Sequence, residues 1–441
     1  MNNLTLLLRS IVLLTLVFKS NSQLIGPIGP TTPLANKTVE CNILDYGAIG
    51  DNSTNVAPAI YAAYNRCVLT TPGSRLLVPN GTYLLEENVV LSNGTNWAFQ
   101  LDGLITASYN GNWSVPRELI LQGYAGVEAL NSTINGEGDG LLLLDVLVIV
   151  NAVDFEFYSS NGFGAIQGQG YLYRNANNTE RPRVVRLISP INASIHDLLL
   201  IDSPKFHFVF DFGVNIEVYH LTIRGGNLGS YDGIDAIGTN YYIHDNEGNN
   251  IGFIKTYPGG SGYVTNVTFE NIRSKASLYG LDVNQYWQNT FTPDTGAVQL
   301  ENLVFNNFTG SVANGANRPP LYLIGNDLKI TQNVTIKDFS LWTENGDFVV
   351  NHVNNIYGTG DDVYGPNDGL GTLPSTSVSS LPTFTSTITV TTSPSGWVEP
   401  TLPTWAVAST GYGTAVPIPV YTPPALWKPQ GDYDKHYWGS F

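Results

Sequence analysis

Asn266-Val-Thr-Phe-Glu-Asn-Ile272 carries the pattern that decides the fold: an Asn, alternating apolar residues, a polar residue, then another apolar one. Five more segments repeat it. They are Asn192-Ala-Ser-Ile-His-Asp-Leu198, Asn215-Ile-Glu-Val-Tyr-His-Leu221, Asn240-Tyr-Tyr-Ile-His-Asp245, Asn302-Leu-Val-Phe-Asn-Asn-Phe308 and Asn333-Val-Thr-Ile-Lys-Asp-Phe339. Alternation marks a strand with one face inward. The leading Asn residues are 23, 25, 26, 36 and 31 apart, a spacing that marks a solenoid with one coil per repeat. No long helical period lies between the segments, which disfavours an α/β sheet. A single coil cannot bury its own apolar face, so coils stack about 4.8 Å apart and share a core. The reading is an all-β chain built as a parallel β-helix. The rival is an antiparallel sandwich, for whose hairpins a spacing of 23–26 is long.

The composition agrees. Of 441 residues, 45 are Gly and 25 Pro, and 13% are charged, which fits short strands joined by many turns and opposes a helical bundle. Asp and Glu number 36 against 20 Lys and Arg, a net charge of −16. A body this acidic repels phosphate backbones, so nucleic acid is not an expected partner.

Arg9 precedes an apolar run ending at Phe18, too short to span a bilayer. With Ser20 and Ser22 at the −3 and −1 positions, residues 1–22 read as a secretory leader cut before Gln23, rather than as a buried helix. Beyond it the chain offers no span, so no membrane association is expected after cleavage. Two cysteines, Cys41 and Cys67, are then expected to form one disulfide in an oxidising compartment. Beyond the leader, eleven Asn-x-Ser/Thr sites point to a secreted glycoprotein: Asn36, Asn52, Asn80, Asn93, Asn112, Asn131, Asn177, Asn192, Asn266, Asn307 and Asn333.

Residues 23–371 read as the solenoid. An open solenoid end needs a cap. Thr54 to Cys67 supplies a short N-terminal helix, with Thr54 or Asn55 as N-cap, Pro58 in the first turn and Ile60 and Tyr64 on one face. Residues 372–441 are rich in Pro, Ser and Thr, the composition of a stalk. Trp397, Trp405, Trp427 and Trp438 lie there too and favour a tail packed on the solenoid.

Gly-x-Ser-x-Gly, Walker, His-Glu-x-x-His and Cys-x-x-Cys motifs are all missing. His196 and His244 share one repeat position two coils apart and read as stacked or solvent-facing imidazoles before a metal site. Carboxylates remain. The stretch Arg224-Gly-Gly-Asn-Leu-Gly-Ser-Tyr-Asp-Gly-Ile-Asp235 combines glycines that let a ligand approach with Asp232 and Asp235. In a strand these two point to opposite faces, so one alone would face a groove; the bland reading is that both satisfy turn amides.

The chain resembles glycoside hydrolase family 28, the pectin hydrolases, and within it the fungal rhamnogalacturonases. The resemblance rests on Cys41-Asn-Ile-Leu-Asp-Tyr-Gly-Ala-Ile-Gly-Asp51, Val78-Pro-Asn-Gly-Thr-Tyr83, Gly164-Ala-Ile-Gln-Gly-Gln-Gly170, Ser203-Pro-Lys-Phe-His-Phe208 and the Arg224–Asp235 stretch. It extends through Phe253-Ile-Lys-Thr256, Gly259-Gly-Ser-Gly262, Tyr279-Gly280, Asn317-Arg-Pro-Pro320 and the Pro394 to Pro419 tail. It implies a right-handed parallel β-helix and inverting hydrolysis of a glycosidic bond, with one group protonating the leaving oxygen and another activating water opposite. It implies Asp232 as a catalytic aspartate, Lys255 as the clamp on a substrate carboxylate, Tyr279 as a substrate contact, and Asp235 with the substrate-binding set. The implied partner is a pectic polysaccharide, rhamnogalacturonan or homogalacturonan, acted on by a monomer. Inverting hydrolysis calls for no cofactor and no metal, and the calcium-binding acidic clusters of a lyase are not seen.

One departure is plain. The family's adjacent acidic pair, in a later coil, has no counterpart, because the chain runs from His244-Asp-Asn-Glu247 directly into Gly248-Asn-Asn-Ile-Gly-Phe-Ile-Lys255. About two coils are missing by the repeat spacing, yet Asn240 to Asn266 remains 26 residues, so the register survives. Asp245 and Glu247 flank the gap without an assigned role. Asp361-Asp362, the one adjacent aspartate pair, reads as a turn.

Overall fold

The computed structural model describes residues 26–116, 142–225, 232–248, 252–277, 280–287, 296–312, 320–326, 328–343, 349–354, 356–360 and 383–388. The leader, Asn131, Tyr279, Asp361-Asp362 and the four tail tryptophans lie outside them.

The strands pair in parallel and wind into a three-sided β-helix. The first side begins with Val39–Asn42, Ser74–Val78, Thr95–Leu101, Val153–Tyr158 and Ile191–His196. The later halves of Phe208–Tyr219 and Ile234–His244 follow, then the opening halves of Tyr263–Ser277, Gln299–Val312 and Thr331–Thr343. This side holds the six repeats, and the residues before their leading asparagines pair in register from Ile191↔Val214 to Glu301↔Gln332. The parallel register rules out the sandwich.

Each leading Asn does a job that the alternation does not show. Asn192, Asn215, Asn240, Asn266, Asn302 and Asn333 all take left-handed backbone angles, with φ between 54° and 62°. Asn tolerates this conformation better than other non-glycine residues. Their amides bond across coils: Asn215 to Asn192 at 2.7 Å, Asn302 to Asn266 at 3.1 Å and Asn333 to Asn302 at 3.1 Å. A second ladder turns the next corner, where Asn271 donates to Asp245 at 2.9 Å and Asn307 to Asn271 at 2.7 Å. Asp245 is thereby fixed at a corner.

Inside, like side chains stack coil on coil. Phe99 lies 5.0 Å from Phe157, Trp97 4.5 Å from Phe155 and Phe269 5.6 Å from Phe305, centroid to centroid. Outside the first side, Tyr158, His196, Tyr219, His244 and Tyr242 form a continuous ring stack. The two histidines are thus stacked imidazoles with Tyr219 between them.

The cap helix α1, Ala57–Ala63, buries Ala57, Ala59 and Ile60. Its N-cap is Val56, one residue later than expected, because Thr54 and Asn55 are drawn into the strand Asp51–Asn55. The Asn55 side chain still accepts from the Ala57 amide at 3.2 Å. The Cys41–Cys67 disulfide ties the far end of this cap to the first strand, with Cα atoms 5.8 Å apart. At the other end, Thr383–Ile388 pairs antiparallel with Val349–Asn354. Among the described residues no helix is long and apolar enough to cross a membrane.

Candidate active site

The third side of the β-helix carries the site. Its early strands, Val89–Ser92, Leu142–Val150, Arg183–Ile188 and the segments 208–211 and 234–236, pair as one ladder. Its later strands, Gly252–Lys255, Leu281–Asn284 and Leu321–Ile324, pair as another. No backbone ladder joins 234–236 to 252–255 among the described residues. Asp232, Asp235 and Lys255 meet across this seam.

Lys255 follows the inward Ile254, so its side chain stands outward from its strand. Its ammonium bonds the Asp232 carboxylate and lies 3.7 Å from Asp235 Oδ1. The expected parity does not hold: Asp232 precedes the strand Ile234–His244, and from the turn its side chain reaches the same ammonium as Asp235. All three side chains are largely covered, at 18%, 10% and 16% exposure. Burial pushes the Asp235 carboxyl up to about 7; Lys255 opposes the rise, and the neighbouring Asp232 carboxylate adds to it. Burial alone would lower the Lys255 ammonium, but Asp235 and Asp232 outweigh it and raise it above the ordinary lysine range. Aromatic rings flank the ammonium: Phe206 at 4.7 Å and Trp287 at 5.3 Å from the nitrogen to the ring centroids.

Asp232 is held through its main chain. The His207 amide donates to the Asp232 carbonyl at 2.9 Å, and His207 Nδ1 lies 3.0 Å from the same oxygen. The Ser203 amide donates to His207 Nε2 at 3.3 Å. Nε2 also lies 3.3 Å from the Arg224 carbonyl oxygen, so main-chain groups enclose the ring on both nitrogens. Burial holds His207 down to about 4. Gly225 is needed here, since a Cβ would come within 2.3 Å of the His207 ring.

Towards the first coils, Arg186 donates to Asp211 at 2.6 Å and Arg183 to Asp145 at 2.7 Å, a covered ion network on this side. Beyond it, Ser114–Pro116 pairs antiparallel with the start of Leu142–Val150, and Val115 packs with Val148, Val150 and Ile188. Among the described residues, no group of three or more His, Cys, Asp or Glu is arranged to hold a metal ion.

The profile of Glycosyl hydrolases family 28 matches residues 240–358. Rhamnogalacturonase A of Aspergillus niger is 33% identical, over 93% of this chain and 93% of its own length. The chain belongs to glycosyl hydrolases family 28. Rhamnogalacturonase A of Aspergillus aculeatus is 32% identical over 93% of this chain and 94% of its own. Both alignments run to 465 positions, more than the 441 residues of the chain, so these family members carry residues that this chain lacks. Among solved structures, an endo-xylogalacturonan hydrolase from Aspergillus tubingensis aligns at a TM-score of 0.45 and 16% identity, over 70% of this chain and 94% of its own. A polygalacturonase from Erwinia carotovora aligns at 0.41 and 17%, over 72% and 82%.

Sequence reasoning named Asp232, Asp235 and Lys255, and the structure brings all three together. It did not assign His207, Phe206 or Trp287, although the Ser203–Phe208 motif contains the first two. A buried histidine in a turn next to the acidic loop was the available signal.

Proposed function

We propose that the chain hydrolyses the galacturonate-containing backbone of pectin, with rhamnogalacturonan as substrate. The observation that carries this reading is the shared length of the rhamnogalacturonase relatives, 93% of each chain, around a site of two carboxyls and one ammonium.

Each group has a task. Asp235, protonated below about pH 7, is the proton donor to the leaving glycosidic oxygen. Lys255 pairs with a substrate carboxylate as a point charge, and Phe206 and Trp287 offer apolar faces to the sugar rings beside it. Asp232 orients the ammonium and completes the acid unit. Inversion places water between carboxyls roughly 6.5–9.5 Å apart. Asp232 and Asp235 share one ammonium, so they act together on one side of the scissile bond. The leader, the disulfide and the sequons support a secreted protein.

The test is release of reducing ends from rhamnogalacturonan and homogalacturonan by the purified protein. Release from rhamnogalacturonan that Asp232→Asn abolishes supports the proposal. Saturable binding with no release overturns it, and preference for homogalacturonan reassigns the substrate.

A further inference from the structure

A second lysine stands at the aromatic wall of the site. The Phe206 ring centroid lies 4.7 Å from the Lys255 ammonium and 5.3 Å from that of Lys205. The two nitrogens are therefore no further apart than these distances combined. They come from separate places in the chain. Lys255 ends a strand of the later ladder, and Lys205 sits in the turn between the strands Leu199–Ile201 and Phe208–Tyr219. Only 20 of the 441 residues are Lys or Arg, so two ammoniums about one ring do not follow from abundance.

The turn holds Lys205 in place. Pro204 fixes one of its backbone angles. Ser203 Oγ donates to the Phe206 carbonyl at 2.7 Å, and the Val184 amide donates to the same oxygen at 3.1 Å. Gly170 packs so close that a Cβ there would come within 2.5 Å of the Ser203 carbonyl oxygen. Ser203, Pro204 and His207 are buried, whereas Lys205 and Phe206 are half-buried.

Charge gives the second ammonium a task. Lys255 is already bonded to Asp232 and close to Asp235. A carboxylate approaching Lys255 alone meets a cation shared with another anion. While Asp235 is protonated, Lys205 and Lys255 together outweigh Asp232, and the balance turns positive. The π-face of Phe206 attracts each ammonium and offsets their mutual repulsion.

We propose that Lys205 is a second carboxylate-binding residue, so that one pectic strand sets one galacturonate on Lys255 and another on Lys205. This rests on the reading of the chain as a pectin-backbone hydrolase and adds to it a requirement for two galacturonates in one strand. Once the first is held, the strand itself delivers the second.

The test is titration calorimetry with rhamnogalacturonan oligosaccharides, in the Asp232→Asn background so that turnover does not intervene. Adding Lys205→Gln should weaken binding about tenfold and leave Tm unchanged. Lys205→Arg, which keeps the charge, should restore it. Oligosaccharides whose carboxyl groups have been reduced to alcohols should bind equally with and without Lys205→Gln. Unchanged affinity for the native oligosaccharide, or an equal loss for the reduced one, overturns the proposal and leaves the hydrolase reading standing where the wild type releases reducing ends. A wild type that neither binds nor cuts overturns the hydrolase reading and this proposal with it.

Discussion

His207 Nδ1 sits 3.0 Å from the carbonyl oxygen of Asp232, and the imidazole that makes this contact is buried and neutral. It fixes the main chain at Asp232, whose carboxylate bonds the Lys255 ammonium. His207→Ala should destabilise the fold by about 2–3 kcal/mol, through the emptied ring volume and the unpaired Ser203 amide. His207→Asn, which keeps a donor, should recover part of that. Urea denaturation measures both. If the contact positions Asp232, kcat on rhamnogalacturonan falls in the alanine variant more than KM rises.

Asp235 predicts a pH dependence of stability. Its folded carboxyl titrates near 7 and an unfolded one near 3.8, so between these values the folded state holds the extra proton. Stability should therefore fall as pH rises from about 4 to about 7 and then level off. Thermal unfolding across that range should show a shallower slope in Asp235→Asn, with the variant gaining most at pH 8. A wild-type slope in the variant would clear Asp235 of the effect.

His196 predicts the opposite window. Burial lowers its basicity, but Asp197, at 2.8 Å, and Glu156 outweigh burial and raise the imidazole to about 9. Its contribution is fully present below the unfolded value of 6.5 and is lost as pH rises through 9. His196→Gln should lower Tm at pH 6 and leave it near wild type at pH 10. Equal losses at both pH values would mean that packing against Tyr158 and Tyr219, rather than charge, is what the ring supplies.

The Cys41–Cys67 bridge spans 26 residues, and its loss should cost about 3 kcal/mol by loop closure. Cys41→Ser with Cys67→Ser, followed by urea denaturation, checks this. The loss should appear in the capping coil first, since each coil touches only its neighbours.

The solenoid was legible because the repeat is local: Asn266 and its counterparts announce both the period and the inward face. The two corner ladders were half legible, since the asparagines stood out while their left-handed geometry did not. Asp232 and Lys255 were found through family motifs, but their contact was not, because it depends on which coils adjoin and not on any single segment. The parity argument for Asp232 and Asp235 failed for a physical reason. Alternation governs residues within a strand, and Asp232 stands in the turn before one.

The seam gives the molecule a ruler. In a stack with a fixed rise of about 4.8 Å, every extra winding inserted between 248 and 252 would carry Lys255 one step further from Asp232. Two windings would part them by roughly 10 Å, comparable to the carboxyl spacing of about 6.5–9.5 Å that inverting hydrolysis uses. The number of windings at this point therefore sets how far Lys255 stands from Asp232.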